Sequence, residues 1–351
     1  MAGSSFGTLF RVATFGESHG GAVGVIVDGV TPGLELSEAD IQVQLDRRRP
    51  GQSAVTTPRQ EADAVRILSG VFEGRATGTP VLLLVQNRDQ QPQAYDDIKD
   101  LFRPGHADYT YHCKYGLRDH RGSGRASGRE TVARVAAGAI ARKLLAQRGV
   151  TITAYCKRAA GIEGATVDFD EIERNIVRAA DREAARRIVE RIIQARDADD
   201  SVGGIVECRI RGVPPGLGEP VFDKLDADLA KAVLSIGATK GIEFGTGFAA
   251  ADMTGSQHND QMDASGFLSN HAGGILGGIS TGAEIVFRVV FKPTASIARP
   301  QKTVDIHGNE VVCRTHGRHD PSIFPRGIPV VEAMVALVLE DHFKRQAALR
   351  A

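Results

Sequence analysis

Short apolar runs bounded by glycine alternate along this chain with stretches whose apolar residues recur every three to four positions. That alternation of periods restricts the fold to one that mixes sheets with helices. Strands are expected at 8–12, 22–27, 65–68, 81–86, 203–210 and 284–291. The clearest helix is 131–147, where Val132, Val135, Ala136, Ala139, Ile140 and Leu144 share a face and Gly149 supplies the stop. Ser37 and Asp40 form a capping-box pattern that opens a helix ending near Pro50 and Gly51. Further helices are expected at 169–180, 183–196, 225–234 and 328–345. The mixture points to an α/β or α+β fold. No proline- or serine-rich linker, charge block or internal repeat divides the 351 residues, so one domain is the simpler reading.

Acidic and basic residues balance at 43 each, which removes any argument from bulk charge for nucleic-acid or membrane binding. Cys113, Cys156, Cys208 and Cys313 are too scattered for a zinc knuckle or a disulfide framework, and the cytoplasm is the natural compartment. The start of the chain lacks a signal pattern, and no apolar run approaches the roughly 18 residues that span a bilayer.

Local chemistry is concentrated between Arg103 and Thr131, where arginines at 103, 118, 121, 125 and 129 mix with His106, His112, His120 and several glycines ahead of the long helix. Arginine offers a planar fork of donors to phosphate or carboxylate, glycine lets backbone N–H groups approach a ligand, and histidine moves protons near neutral pH. The stretch 121–131 suggests phosphate at a helix N-terminus, although it lacks the Gly-Lys-Ser/Thr ending of a Walker A loop; a solvated basic loop is the alternative. Arg47, Arg48 and Arg49 could bind an anion or complement a helix dipole. A second glycine-rich stretch, 273–278, could admit a flat ligand or serve tight sheet packing, and Lys292 to Ser296 offers an ammonium and two hydroxyls.

Two other patterns compete. Gly16-Glu17-Ser18-His19-Gly20 matches the nucleophile elbow of α/β-hydrolases, but only fifteen residues precede it and His19 is adjacent to Ser18. His106, Asp108 and His112, with His316, His319 and Asp320, could be read as metal ligands; their loose spacing and the surrounding arginines argue against it, and no metal is expected. An enzyme acting on a small polyanion is the favoured class. A hydrolase and a non-catalytic anion-binding module are the alternatives.

The boxes GESHG at 16–20, DRRRPG at 46–51, RPGHADYTY at 103–111, KYGLRD at 114–119, SNHAGGILGGISTG at 269–282, KPTASI at 292–297 and GRHDP at 317–321 closely resemble the chorismate synthase family. The likeness extends over nearly the whole length. It implies an α+β fold, a single-domain β-α-β sandwich over 1–351, assembled as a homotetramer. The implied activity is a lyase reaction, the anti 1,4-elimination of phosphate from 5-enolpyruvylshikimate 3-phosphate to give chorismate, dependent on reduced FMN without net redox change. This is the final step of the shikimate pathway toward aromatic amino acids.

By the same resemblance His19 protonates the departing phosphate, His106 sits by the reduced flavin and helps protonate it, and Asp320 relays the proton gained at flavin N5. Ser18, Arg48 and Arg129 line the substrate. Arg125, Ala126, Ser127, Gly237, Ala238, Gly277, Lys292, Pro293, Thr294, Ala295, Ser296 and Arg318 hold FMN. This chain departs from the family pattern at four places: RSSARET reads RASGRET, placing Ala126 and Gly128 in the flavin loop, Gly237 stands for asparagine, and Ala54 for arginine. Weaker FMN or substrate affinity is the expected consequence. Some relatives reduce their own flavin with NADPH; no added reductase segment is visible here, so an external flavin reductase is expected.

Overall fold

The computed structural model describes residues 3–53, 55–56, 61–89, 92–315 and 320–350. The first half of the chain runs β1 (Ser5–Phe6), β2 (Arg11–Gly16), β3 (Ala22–Asp28), α1 (Glu38–Arg48), β4 (Val65–Ser69), the short hairpin of β5 (Val71–Phe72) and β6 (Arg75–Ala76), β7 (Val81–Gln86), α2 (Asp108–Tyr115) and α3 (Thr131–Ala146). The second half runs β8 (Thr151–Ala159), β9 (Ile162–Glu163), α4 (Arg182–Asp197), β10 (Gly204–Arg211), α5 (Leu225–Leu234), β11 (Thr239–Phe244) and α6 (Gly255–His258). It continues through β12 (Met262–Asp263), β13 (Gly266–Phe267), β14 (Ile275–Leu276), β15 (Ile279–Ser280), β16 (Ile285–Phe291), β17 (Gln301–Val304) and β18 (Glu310–Cys313) to α7 (Phe324–Leu349).

Two antiparallel five-stranded sheets result, ordered β1-β2-β3-β7-β4 and β11-β16-β10-β8-β9. Helix α3 packs on β2, β3 and β7, α7 packs on β8 and β10, and the two helices pack on each other, so the helices lie between the sheets. The fold is the expected α+β sandwich. One continuous apolar cluster joins the inner faces of both sheets to α1, α3, α5 and α7. At Gly138 the helices come so close that an added Cβ would sit 2.5 Å from Ala333 Cβ.

Most expected elements form where the sequence places them, and the exceptions have identifiable causes. The capping box at Ser37 and Asp40 is present. The expected strand at 8–12 begins only at Arg11, because the N–H groups of Thr8, Leu9 and Phe10 all bond to the Asp341 carboxylate. The helix expected at 169–180 stops after a 3₁₀ segment, Phe169–Arg174. There the Asn175 side chain donates to the carbonyls of Glu171 and Ala179 and accepts from the Ala179 N–H, replacing helical bonds. Strands β8 and β11 were not expected; Thr151, Thr153, Lys157 and Arg158 dilute the apolar signal of β8, although Ile152, Ala154 and Cys156 are buried.

Helix α7 extends beyond both ends of the expected 328–345, through Pro325 and Pro329. Proline is tolerated in a first turn. Pro329 lacks the N–H that would reach the Pro325 carbonyl, and Arg178 Nη1 donates to that carbonyl instead, at 2.7 Å. The same helix carries Glu332, whose carboxylate is 2 % exposed. It accepts from Arg47 of α1 at 2.5 Å, from Arg142 of α3 at 2.8 Å and from the Ala154 N–H of β8 at 2.9 Å.

Burial opposes the charge on Glu332, but Arg47 and Arg142 outweigh it and hold its pKa below the ordinary 4.5. The unfolded chain therefore binds this proton more readily. The tie contributes stability above the ordinary carboxylate pKa and loses it as pH falls through the lower folded value. Glu332→Ala, which leaves two guanidinium groups unpaired, should lower unfolding free energy by about 3–5 kcal/mol in urea titrations at pH 7. Glu332→Gln should be less damaging, and its deficit relative to the parent should shrink below pH 4.

Candidate active site

The segments singled out in the sequence converge on one cavity of about 1350 Å³. Its lining includes His106, Arg48, Arg125, Ala126, Ser127, Gly237, Ala238 and the run Lys292 to Ala295. Three junctions bring these pieces together. Lys292 Nζ donates to the Gly105 carbonyl at 3.1 Å, Arg103 Nη1 reaches Ser296 Oγ at 3.4 Å, and the Lys292 N–H bonds to the Ala238 carbonyl at 2.9 Å. Ala238 holds a left-handed backbone, φ 73°, in the turn between α5 and β11.

His106 stands at the centre of a directed network. Arg103 clamps Asp108 with Nε–Oδ2 at 2.7 Å and Nη2–Oδ1 at 2.8 Å, and also donates to Ser123 Oγ at 2.7 Å. His106 Nδ1 lies 3.1 Å from Asp108 Oδ1, which can only accept, and 3.3 Å from Arg103 Nη2, which can only donate; with the ring proton on Nδ1 the contact to Asp108 is the hydrogen bond. Nε2 is then the acceptor for Ser123 Oγ, 3.2 Å away. Burial pushes the His106 pKa below 6.5, and the charges of Arg103 and Lys292 act in the same direction against Asp108. Burial alone would raise Asp108, but Arg103 and His106 hold its carboxyl well below the usual range.

The loop that carries Ser123 is shaped by consecutive left-handed residues: Gly122 at φ 59°, Ser123 at φ 74° and Gly124 at φ 51°. Gly122 lies directly against His19, and a Cβ there would fall 1.9 Å from His19 Nδ1. The imidazole is buried, with its ring edge-on to Tyr95 at 5.2 Å. His19 does not itself line the cavity; its neighbour Glu17 and the loop residues Ser123 and Gly124 do. Ser18 is tied to the loop through Ser127 Oγ at 3.1 Å, and Arg125 donates to the Gly16 carbonyl at 3.0 Å and to Thr14 Oγ1 at 2.6 Å. Burial lowers the Lys292 pKa, and nearby Lys240 lowers it further.

Two of the arginines assigned to substrate are held internally. Arg48 bonds Asp63 at 3.1 Å, Thr131 Oγ1 at 3.0 Å and the Gly128 carbonyl; Arg129 bonds Asp63 and, at 2.8 Å, Asn87 Oδ1. Burial pushes the Arg48 pKa down, aided by the charge of Arg326. Arg48 still borders the cavity, whereas Arg129 does not. Asp320 is bound by Arg326 Nη1 at 2.7 Å, and Arg326 is a cavity residue. Gly277 lies in the β14–β15 turn, apart from the lining. Arg318, His316, His319 and Ala54 are outside the described residues.

Several contributors carried no advance signal. Asp63 lies in a stretch without a motif, and nothing in the sequence marks Arg134, Lys240 or Arg326; Glu17, Arg103 and Ser123 lie inside segments noted above but carried no role of their own there. The hydrolase pattern fails on local geometry. A nucleophile elbow is a strand-to-helix turn, whereas Ser18 lies in the turn joining antiparallel strands β2 and β3. Among the described residues no group of three or more histidine, cysteine, aspartate or glutamate side chains could hold a metal. Among the described residues no helix is long and apolar enough to cross a membrane.

The chain is 59% identical to a chorismate synthase of Roseiflexus castenholzii, covering 100% of this chain and 99% of that one. It is 61% identical to one of Chloroflexus aggregans, covering 100% and 98%. A crystal structure of chorismate synthase superposes with a TM-score of 0.78 at 30% identity, covering 97% of this chain and 93% of the other. The family model described as chorismate synthase matches residues 10–343, and the chain belongs to the chorismate synthase family of lyases.

Proposed function

We propose that this chain converts 5-enolpyruvylshikimate 3-phosphate to chorismate by anti 1,4-elimination, with reduced FMN as cofactor. The observation that carries this reading is the meeting of the RPGHAD, RASGRET and KPTAS segments around one large cavity. The donor set fits a flat ligand bearing a phosphate. Arg125 and Lys292 supply cations, the turn at Gly237 and Ala238 offers backbone, and the buried Thr294 Oγ1 has no hydrogen-bond partner among the described residues. Arg125, Ala126, Ser127, Gly237, Ala238 and Lys292 to Ser296 would hold FMN, which when bound supplies the electron density that expels phosphate.

The remaining chemistry falls to side chains. Beside Asp108, His106 would donate a proton to the bound flavin, and its lowered pKa would favour release of that proton. His19 protonates the departing phosphate, which requires the turn at 122–124 to yield when substrate binds. Asp320, steadied by Arg326, would take up the proton released from the substrate. Arg48, anchored on Asp63 at the edge of the cavity, would meet the phosphate, with Arg129 behind it holding the loop.

A single unit over 1–351 is proposed from the continuous core, and a homotetramer from exposed apolar side chains such as Phe222 and Phe248 outside it. A cytoplasmic setting and an external source of reduced flavin complete the reading.

Anaerobic incubation with substrate and reduced FMN, followed by chorismate absorbance, tests the reaction. Absence of product from folded protein rejects it, and turnover that needs added metal but no flavin favours a hydrolase. His19→Ala and His106→Ala should each reduce kcat by about 10²–10⁴-fold while FMN binding changes far less. Gly122→Ala should push the His19 ring aside and lower kcat by about 10²-fold. Fluorescence titration should show its FMN affinity close to that of the parent, and an unchanged kcat would remove His19 from the chemistry.

A further inference from the structure

The cavity has a wall made by the start of the chain: Gly3, Ser4, Ser5 and Phe6 all face it. Little within the sheet holds that wall. β1 is a two-residue edge strand, paired with β2 only at Ser5↔Ala13 and Phe6↔Val12. The Thr14 N–H adds one bond to the Ser4 carbonyl at 2.9 Å, and Arg125 reaches Ser4 Oγ at 3.5 Å. Such a short edge strand is prone to fray unless it is tied down elsewhere.

The tie comes from α7, on the far side of the segment. Oδ1 of Asp341 accepts three successive backbone N–H groups, from Thr8 at 3.0 Å, Leu9 at 2.6 Å and Phe10 at 2.8 Å. Asp341 is 3 % exposed, so these are charge-assisted bonds in a medium of low dielectric. Its other oxygen lies 3.0 Å from Arg345 Nε, and Arg345 is set in turn by Asp223 at 3.3 Å and by Thr8 Oγ1.

These groups surround a second, small cavity of about 150 Å³ lined by Asp223, Asp228, Asp341, His342 and Arg345. Phe6 and Lys231 line both cavities, with Lys231 Nζ 5.7 Å from the Phe6 ring centroid. They form the partition between the ligand cavity and the ionic cluster behind it.

We infer that Asp341 is a positioning residue: it clamps residues 8–10 and thereby fixes the 3–6 wall against the bound ligand, acting on affinity without touching the reacting atoms. The inference rests on the functional reading above insofar as the ligand is FMN or substrate. Removing the carboxylate frees three N–H groups and lets the wall move outward. Ligand affinity should fall, while the His106 and Asp320 groups that carry the chemistry stay in place.

Oxidised FMN, titrated by fluorescence, is the probe. Asp341→Ala should raise its Kd and the substrate KM by about tenfold or more, with kcat at saturation within about twofold of the parent. Asp341→Asn keeps an acceptor and should recover part of the loss. A lowered melting temperature with unchanged Kd and KM, measured well below melting, would reduce Asp341 to a stability role and overturn the inference. If Asp341→Ala does not fold, deletion of residues 1–5 leaves α7 untouched and should give the same rise in Kd; unchanged affinity again overturns it.

A parent protein that neither binds FMN nor forms chorismate would sink the functional reading instead. The clamp is then read directly by hydrogen exchange at Thr8, Leu9 and Phe10. Slow exchange in the parent and fast exchange in Asp341→Asn sustain it, and equal rates overturn it.

Discussion

A buried carboxylate, Glu332, sets the rotation of the helix on which the cavity is built. It gathers Arg47 of α1, Arg142 of α3 and a backbone donor of β8 onto one face of α7. Apolar packing between α3 and α7 is non-directional and would tolerate small rotations; three hydrogen bonds to a desolvated charge would not. With that face fixed, Ile323, Arg326, Gly327, Val330, Met334 and Leu337 point the opposite way, into the cavity, at the three-to-four-residue spacing of a helix. Burying the ions costs much of what their attraction returns, so the benefit is register more than stability.

Asp63 plays the corresponding part at the other end of α3. Its carboxylate, in a left-handed residue of φ 47°, receives both Arg48 and Arg129. The two guanidinium groups also hold the Gly128 carbonyl and Asn87, so the RASGRET loop is fastened from behind. Glu61 lies 4.0 Å from Arg129 Nη2 as well, so the two arginines face two carboxylates and the cluster serves to hold the loop, with Arg48 at the edge of the cavity. Gly128 itself has a negative φ and open space around its missing Cβ, so the departure from the family's alanine there leaves the loop's geometry intact. Ala126, Gly128 and Gly237 all line the cavity, so three of the four departures border it.

The parts of this molecule legible in the sequence are those that repeat a local rule. The α3 face, the capping box at Ser37 and the alternating strands follow from spacing alone. The boxes around His106, Lys292 and Arg125 announced anion chemistry, and the structure gathers them into one cavity. What escaped depends on partners distant in the chain. The truncated helix after Phe169 turns on one amide, Asn175; the late start of β2 turns on Asp341, more than 300 residues away. Asp63 belongs to no motif, and no pattern in the sequence marks it as the counter-ion of two arginines. Nor does spacing reveal that Gly277 sits apart from the other glycines assigned to the flavin.

The two histidines show how environment assigns different tasks to one residue type. His106 lies among fixed charges. Asp108 orients one ring nitrogen, Ser123 meets the other, and burial beside Arg103 and Lys292 favours the neutral ring. That arrangement suits a group that passes a proton on and must not retain it. His19 is packed between Tyr95 and the backbone of Gly122. It therefore rests against a loop of left-handed residues that also borders the cavity. A ligand that presses on Ser123 and Gly124 acts on both histidines at once, through the hydroxyl bonded to His106 and through the glycine packed on His19. The 122–124 turn is thus an element through which occupancy of the cavity can be felt by both proposed proton donors.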